Sequence, residues 1–199
     1  MARLALGVEY DGSAFAGWQY QHHARSVQGE LQQALSRVAD HPVELTAAGR
    51  TDAGVHAFAM VAHFDTTAVR PLHGWVLGAN ANVTDEISVL WARIVPDTFH
   101  ARHSALSRSY LYRMLYQPVR PALERHRVCW TRHALDAARM DAAARTLIGH
   151  HDFSAFRAAE CQSPTPMRDL RAISVERNGP YVDLRLRANA FLHHMVSNI

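Results

Sequence analysis

The chain has 199 residues, 48% of them hydrophobic, and all 21 of its basic side chains are arginine. That length supports a sizeable core in one domain or two closely packed halves, and no apolar run approaches the ~18 residues of a membrane span. The absence of lysine excludes Schiff-base, phosphate-loop and lysine general-base chemistry. Residues 1–99 carry 6 arginines against 10 acidic side chains, whereas residues 100–199 carry 15 against 8. A basic half suits a polyanionic partner, although arginines scattered over a solvated surface account for the charge equally well. Two cysteines, Cys129 and Cys161, point to a reducing compartment rather than a disulfide framework. The N-terminus lacks a signal peptide's cleavage region, so the expected location is cytoplasmic.

Arg3 to Tyr10 alternates as a strand, with Leu4, Leu6, Val8 and Tyr10 on one face. Asp11-Gly12-Ser13 ends it with turn chemistry. Ser26 is placed to cap a helix whose apolar stripe is Val27, Leu31, Ala34, Leu35 and Val38. A strand over Val43–Thr46 leads into the loop TAAGRTDAGVHA, and a strand over Ala57–Asp65 leaves it, with Phe58, Met60, Ala62 and Phe64 on one face. Pro71 opens a short helix carrying Leu72, Trp75, Val76 and Ala79, and Ile87–Val95 is a further strand. In the second half, Ser109–Tyr116 reads as a strand and Leu135–Ile148 as a helix stopped by Gly149. Arg171–Arg177 and Tyr181–Ala188 read as a hairpin closed by Asn178-Gly179. Phe191–Ile199 has helical spacing and breaks off in mid-pattern, which predicts a further C-terminal segment. The pattern predicts an α+β fold of two ferredoxin-like halves, residues 1–99 and 100–199, sharing a central, mainly antiparallel sheet flanked by helices.

Fourteen histidines invite a metal reading, but adjacent pairs such as His22-His23, His150-His151 and His193-His194 point to different faces. No H-x-x-x-H, H-E-x-x-H or C-x-x-C spacing occurs, so no metal is expected. An aspartic-protease reading of Asp52-Ala53-Gly54 fails for want of a second such loop. What remains is Asp52 and Arg50 among small residues in a loop between strands. Such loops display reactive groups on a rigid scaffold. An arginine within reach keeps a partly buried carboxylate ionised, and an ionised carboxylate serves as nucleophile or base. A structural ion pair in a tight turn explains the same residues. The second constellation is FHARHSALSRSYLYRM, in which Arg102, Arg108 and Arg113 interleave with Tyr110 and Tyr112. Arginine with aromatics suits phosphate pairing and base stacking, and Arg108, Tyr110 and Tyr112 share a strand face. Tyrosines packing a core with their hydroxyls at the surface are the competing explanation.

GRTDAGVHA resembles the catalytic motif of the tRNA pseudouridine synthase A family. YDGSAFAGWQ is similar to that family's first strand and turn, SVQGELQQAL to its first helix, and FHARHSALSRSYLYRM to its hinge and tyrosine strand. HDFSAFRA, CQSPTPMRDL and ANAFLHHMV follow in order. The resemblance implies isomerisation of uridine to pseudouridine at positions 38, 39 and 40 of the tRNA anticodon stem-loop. It also implies a homodimer whose tRNA contacts both subunits, with no metal and no organic cofactor. On this basis Asp52 attacks the sugar or abstracts a proton from it. Arg50 holds Asp52 ionised and occupies the space left by the flipped nucleotide. Tyr110 stacks on the flipped uracil and takes the C5 proton. Arg102, Arg108 and Tyr112 are candidate RNA contacts. Three departures stand out: Ser197 where the family has arginine after HHMV, His103 where it has an aromatic, and an end at Ile199 where it continues. Ser197 and the early end support an alternative expectation, a non-catalytic RNA-binding protein of the same fold.

Overall fold

The computed structural model describes residues 1–161 and 163–199. Contacts divide the chain into two units, Met1–Ala105 and Leu106–Ile199. The first contains β1 (Ala2–Tyr10), α1 (Val27–Ala39), β2 (Thr46–Ala47), β3 (Ala57–Thr66), α2 (Leu72–Asn80) and β4 (Ile87–Val95). Its antiparallel sheet has the order β2-β3-β1-β4, and βαββαβ in that order is a ferredoxin-like half. Leu4, Leu6, Val8 and Tyr10 are buried as the alternation predicts. Leu6 pairs with Ala62 on one side and Ala92 on the other. The Ser26 side chain caps α1 by accepting the Gly29 N–H at 3.2 Å, one of the donors a helix start leaves without an intrahelical partner. The helix buries Val27, Leu31, Ala34 and Leu35. From α2, Trp75 meets Phe64 edge-on, ring centres 5.2 Å apart.

Two expectations for this unit change. Of the strand expected over Val43–Thr46 only Thr46 joins the sheet, in a two-residue strand with Ala47. The residues before them bond to α1 side chains instead. Ser36 Oγ accepts the Val43 N–H at 2.9 Å, Gln32 Oε1 accepts the Leu45 N–H at 3.0 Å, and Gln28 Nε2 donates to the Leu45 carbonyl at 3.0 Å. Phe58, expected on one face of β3 with Met60, Ala62 and Phe64, is 76% exposed whereas Ala62 and Phe64 are buried. Phe58 falls where the register with β1 slips between Val8 and Tyr10, and such a bulge re-aims side chains.

The second unit contains β5 (Arg108–Tyr116), β6 (Cys129–Thr131), α3 (Ala137–Arg145), β7 (Gly149–Asp152), β8 (Met167–Asn178), β9 (Tyr181–Ala188) and α4 (Met195–Asn198). The sheet order is β6-β5-β9-β8-β7. β6 runs parallel to β5 and the other pairs are antiparallel. Leu170, Ile173, Val175, Val182, Leu184 and Leu186 form the strand side of the core, with Ala144 and Met195 from the helices. The fold is thus α+β with two ferredoxin-like halves, its strands in two hydrogen-bonded sheets rather than one. Among the described residues, no helix is long and apolar enough to cross a membrane.

Three boundaries here also differ from expectation. The helix expected over Leu135–Ile148 begins at Ala137, after Asp136 accepts the Arg139 N–H. It ends at Arg145 because the N–H groups of Thr146, Leu147 and Ile148 bond carbonyls three residues back, the tighter 3₁₀ pattern of a helix end. In the hairpin, Asn178 pairs with Tyr181, so the turn residues are Gly179 and Pro180. Gly179 has φ 59, and a positive φ before the fixed negative φ of proline suits a type II′ turn. The C-terminal helix spans Met195–Asn198 only, because His194 sits at φ 60 and cannot continue a right-handed helix backward.

On the face of β5 opposite Tyr110, the Arg113 guanidinium donates twice to the Asp183 carboxylate, at 2.7 Å each. Asp183 is 4% exposed, and these bonds hold its carboxyl below the usual carboxylate range against the effect of burial. A depressed folded-state value contributes stability above the unfolded value of about 4 and loses it as pH falls through the folded value. We expect Arg113→Ala to cost about 1–3 kcal/mol at pH 7 by leaving a buried carboxylate short of donors. The difference from wild type should shrink below about pH 4, as read by urea unfolding at both pH values. A gap independent of pH would assign the loss to packing alone.

Candidate functional site

The loop between β2 and β3 is built by alternating anchors and displayed residues. At its entry the Ala48 N–H donates to the Val61 carbonyl at 2.8 Å. Thr51 is the central anchor: its hydroxyl lies 2.8 Å from the Tyr10 hydroxyl, with both residues buried. Its carbonyl accepts the Trp18 N–H at 3.0 Å. The Trp18 indole in turn packs against the Tyr10 ring, centres 5.8 Å apart. The Val55 N–H then closes a turn on the Asp52 carbonyl at 3.2 Å, and the Gly54 N–H donates to the Phe15 carbonyl at 3.3 Å. Gly54 is at φ 78, which a type II turn requires of its third residue. At the exit, His56 Nδ1 accepts the Gly12 N–H at 3.2 Å.

Between these anchors Arg50, Asp52 and Ala53 are exposed. Arg50 and Asp52 therefore flank the buried Thr51 on a backbone held by the end of β1 and the segment after it. A carboxylate on such a fixed turn has little freedom to lose when it meets a reacting atom. Gly17 shapes the underside. It has φ 101, and a Cβ there would come 2.5 Å from the Thr51 carbonyl oxygen. Tyr10, Thr51, Gly17 and Trp18 were not singled out from sequence as parts of the site. The available signal was Gly12 and Gly17, five residues apart after a strand that ends in tyrosine.

Arg102 also belongs to the first unit and is exposed, in a turn where its N–H donates to His100 Nδ1 at 3.2 Å. That turn is tied to the sheet by His63, whose Nδ1 accepts the Ala101 N–H at 3.2 Å, and by Arg3, which donates to the Phe99 carbonyl at 2.7 Å. Burial first, then the Arg3 and His100 charges, hold the His63 imidazole below its ordinary value, consistent with a ring nitrogen that accepts a bond.

In the second unit Arg108, Tyr110 and Tyr112 share one face of β5, as the period of two requires. Arg108 Nη1 donates to the Asn189 carbonyl at 2.6 Å. The half-buried Tyr110 ring meets Phe191 edge-on, centres 4.9 Å apart. Tyr112 packs against the second core, and a hydrogen bond with the Cys129 thiol, then burial, push its hydroxyl up to about 12. Ser197, one of the departures noted above, is exposed and donates to the His194 carbonyl at 2.9 Å.

The profile of the tRNA pseudouridine synthase family matches residues 7–104 and 143–199. The chain is 55% identical over 199 residues to tRNA pseudouridine synthase A of Coxiella burnetii, covering all of this chain and 76% of that protein. It is 53% identical over 197 residues to the protein of the same name from Tolumonas auensis, and 52% identical over 197 residues to that of Shewanella sp. (strain MR-4). Each of these alignments covers 99% of this chain and 76% of the relative.

The anchors make a graded expectation. Gly54→Ala meets nothing within 4 Å, so it should cost only the strain of a positive φ, about 1–2 kcal/mol. Gly17→Ala adds a collision with the Thr51 carbonyl and should cost more. Tyr10→Phe leaves the buried Thr51 hydroxyl short of a partner, at about 1–3 kcal/mol. Urea unfolding of the three variants ranks them, and equal costs for the two glycine variants would remove the Thr51 approach as a constraint on the loop.

Proposed function

The chain belongs to the tRNA pseudouridine synthase family, a family of isomerases acting on tRNA, and from that premise we propose that it converts uridine to pseudouridine at positions 38, 39 and 40 of the tRNA anticodon stem-loop. The observation that carries the reading is the exposed carboxylate of Asp52 on a turn fixed by buried bonds at Thr51. The reaction breaks the glycosidic C–N bond, rotates the base and rejoins it through C5. The C5 proton leaves and a proton is taken up at nitrogen. Atoms and electrons balance without oxidant, reductant or co-substrate.

The target base is stacked in the RNA and must leave the stack to expose its reacting atoms, so the nucleotide flips out. Asp52 attacks the sugar or takes a proton from it. Arg50, exposed two residues earlier, fills the place of the flipped nucleotide. Tyr110 stacks on uracil and receives the C5 proton. Its edge-on contact with Phe191 limits the orientations of the ring, which supports a stacking role. Arg102, Arg108 and Tyr112 contribute RNA contacts, and the arginine-rich second half pairs with phosphates. The enzyme works in the cytoplasm as a homodimer.

Release of tritium from tRNA labelled at uracil C5 tests these assignments. Asp52→Asn should reduce release to background while tRNA still binds. Tyr110→Phe should keep tRNA affinity and lose about 10²–10⁴ in rate, the range for a removed acid–base group. Wild-type release by Asp52→Asn would end its assignment, and wild-type release by Tyr110→Phe would leave that ring with stacking alone. If the unaltered chain binds tRNA yet releases no tritium, the non-catalytic reading is the correct one.

A further inference from the structure

The stretch joining β5 to β6 lies between the two segments matched to the family. It folds over a cleft of about 330 Å³ lined by Arg120, Pro121, Ala122, Arg125, Val128 and Trp130. The lining combines the apolar Pro121, Ala122 and Val128 and the Trp130 indole with two guanidiniums. The surrounding residues 117–133 contain Arg120, Arg125, Arg127 and Arg132 against a single acid, Glu124. That acid is committed elsewhere: the Tyr181 hydroxyl donates to Glu124 Oε1 at 2.6 Å.

The cleft is held in shape before any ligand arrives. Trp130 Nε1 donates to the Gln117 carbonyl at 3.0 Å, which fixes the indole plane. The Arg132 guanidinium sits 5.1 Å from the centre of that ring. Arg125 Nη1 donates to the Ala122 carbonyl at 3.0 Å, using one of five donors and orienting the rest of the fork. Through Glu124 the stretch is fastened to Tyr181 of β9, whose ring carries Arg113 at 5.1 Å. β6 itself is a three-residue outer strand, paired to β5 from Met114 to Tyr116.

We propose that this cleft is a nucleotide-binding subsite for the RNA substrate, separate from the reacting uridine, with a backbone phosphate on Arg120 and Arg125 and its base against Trp130. A fixed indole flanked by arginines is the chemistry of sequence-tolerant RNA contact, where stacking holds the base and guanidiniums neutralise phosphate. The cleft offers no carboxylate, hydroxyl or imidazole among its lining residues, so it binds without reacting. The inference rests on the tRNA reading above and adds to it a surface that acts on affinity.

The test uses the full chain and unmodified tRNA, with Kd measured between about 50 and 200 mM salt and tritium release measured in parallel. Arg120→Ala with Arg125→Ala should weaken binding by roughly five- to tenfold per arginine near 0.1 M salt, and make the log Kd–log salt slope shallower by about 0.7–0.9 per lost phosphate contact. KM should rise with kcat unchanged at saturating tRNA. Arg120→Lys with Arg125→Lys should restore the salt slope. Trp130→Leu should weaken binding by roughly fivefold or more through lost stacking, while Trp130→Phe retains it. Wild-type Kd and slope in the double alanine variant overturn the subsite, and wild-type binding by Trp130→Leu overturns the base contact. Absence of tritium release from the unaltered chain counts against the isomerase reading alone, because the binding measurements still decide the subsite.

Discussion

The hydrogen bond between the Tyr10 and Thr51 hydroxyls is the constraint on which the candidate site depends. It joins the last residue of β1 to the middle of a loop more than forty positions later, between two buried residues. Two hydroxyls in an apolar setting have few alternatives, so the geometry that satisfies them is strongly selected. Once Thr51 is fixed, its neighbours on either side face outward, and Arg50 and Asp52 are displayed as a consequence of burying the residue between them. The β1 strand thus has two tasks: Leu4, Leu6 and Val8 fill the core, and Tyr10 continues the same alternation one step further to grip the loop.

The second unit solves a different problem. Its sheet has one face against α3 and α4 and another that carries charge. On the charged face Arg113, Asp183, Arg185 and Tyr181 form a connected set, and Glu124 extends it into the stretch before β6. An arginine excess confers affinity for polyanions only where guanidiniums are not consumed internally. Arg113 is consumed, by two bonds to Asp183. Charge counted along the sequence therefore overstates what the surface offers.

The sequence foretold elements whose periodicity arises from burial. β4 matches its expected bounds, and α1 starts at its expected cap with the apolar stripe inward. It failed where hydrogen bonding, which leaves no periodic trace, decides the outcome. Val43 and Leu45 are as apolar as strand residues, yet Ser36, Gln32 and Gln28 take their backbone groups. Leu147 and Ile148 extend the apolar pattern of α3, yet the backbone has already tightened. His194 sits within a convincing helical spacing and adopts a conformation that only the structure reveals. At the loop, Asp52 and Arg50 stand out as candidates because polar residues among small ones are conspicuous. Thr51 does not, since a threonine's importance here comes from a partner distant in sequence.

The bonds from α1 to the segment before β2 have a consequence for association between copies. β3 is ten residues long, but its outer partner β2 is two, so that side of the sheet is an edge. An edge with open backbone groups invites a strand from another molecule. Here the chain that would extend the edge already has three of its backbone groups engaged by serine and glutamine side chains of its own helix. With those groups engaged, the segment offers an incoming strand few partners. The same three side chains that deny the sheet a longer strand thereby protect the unit from growing by strand addition.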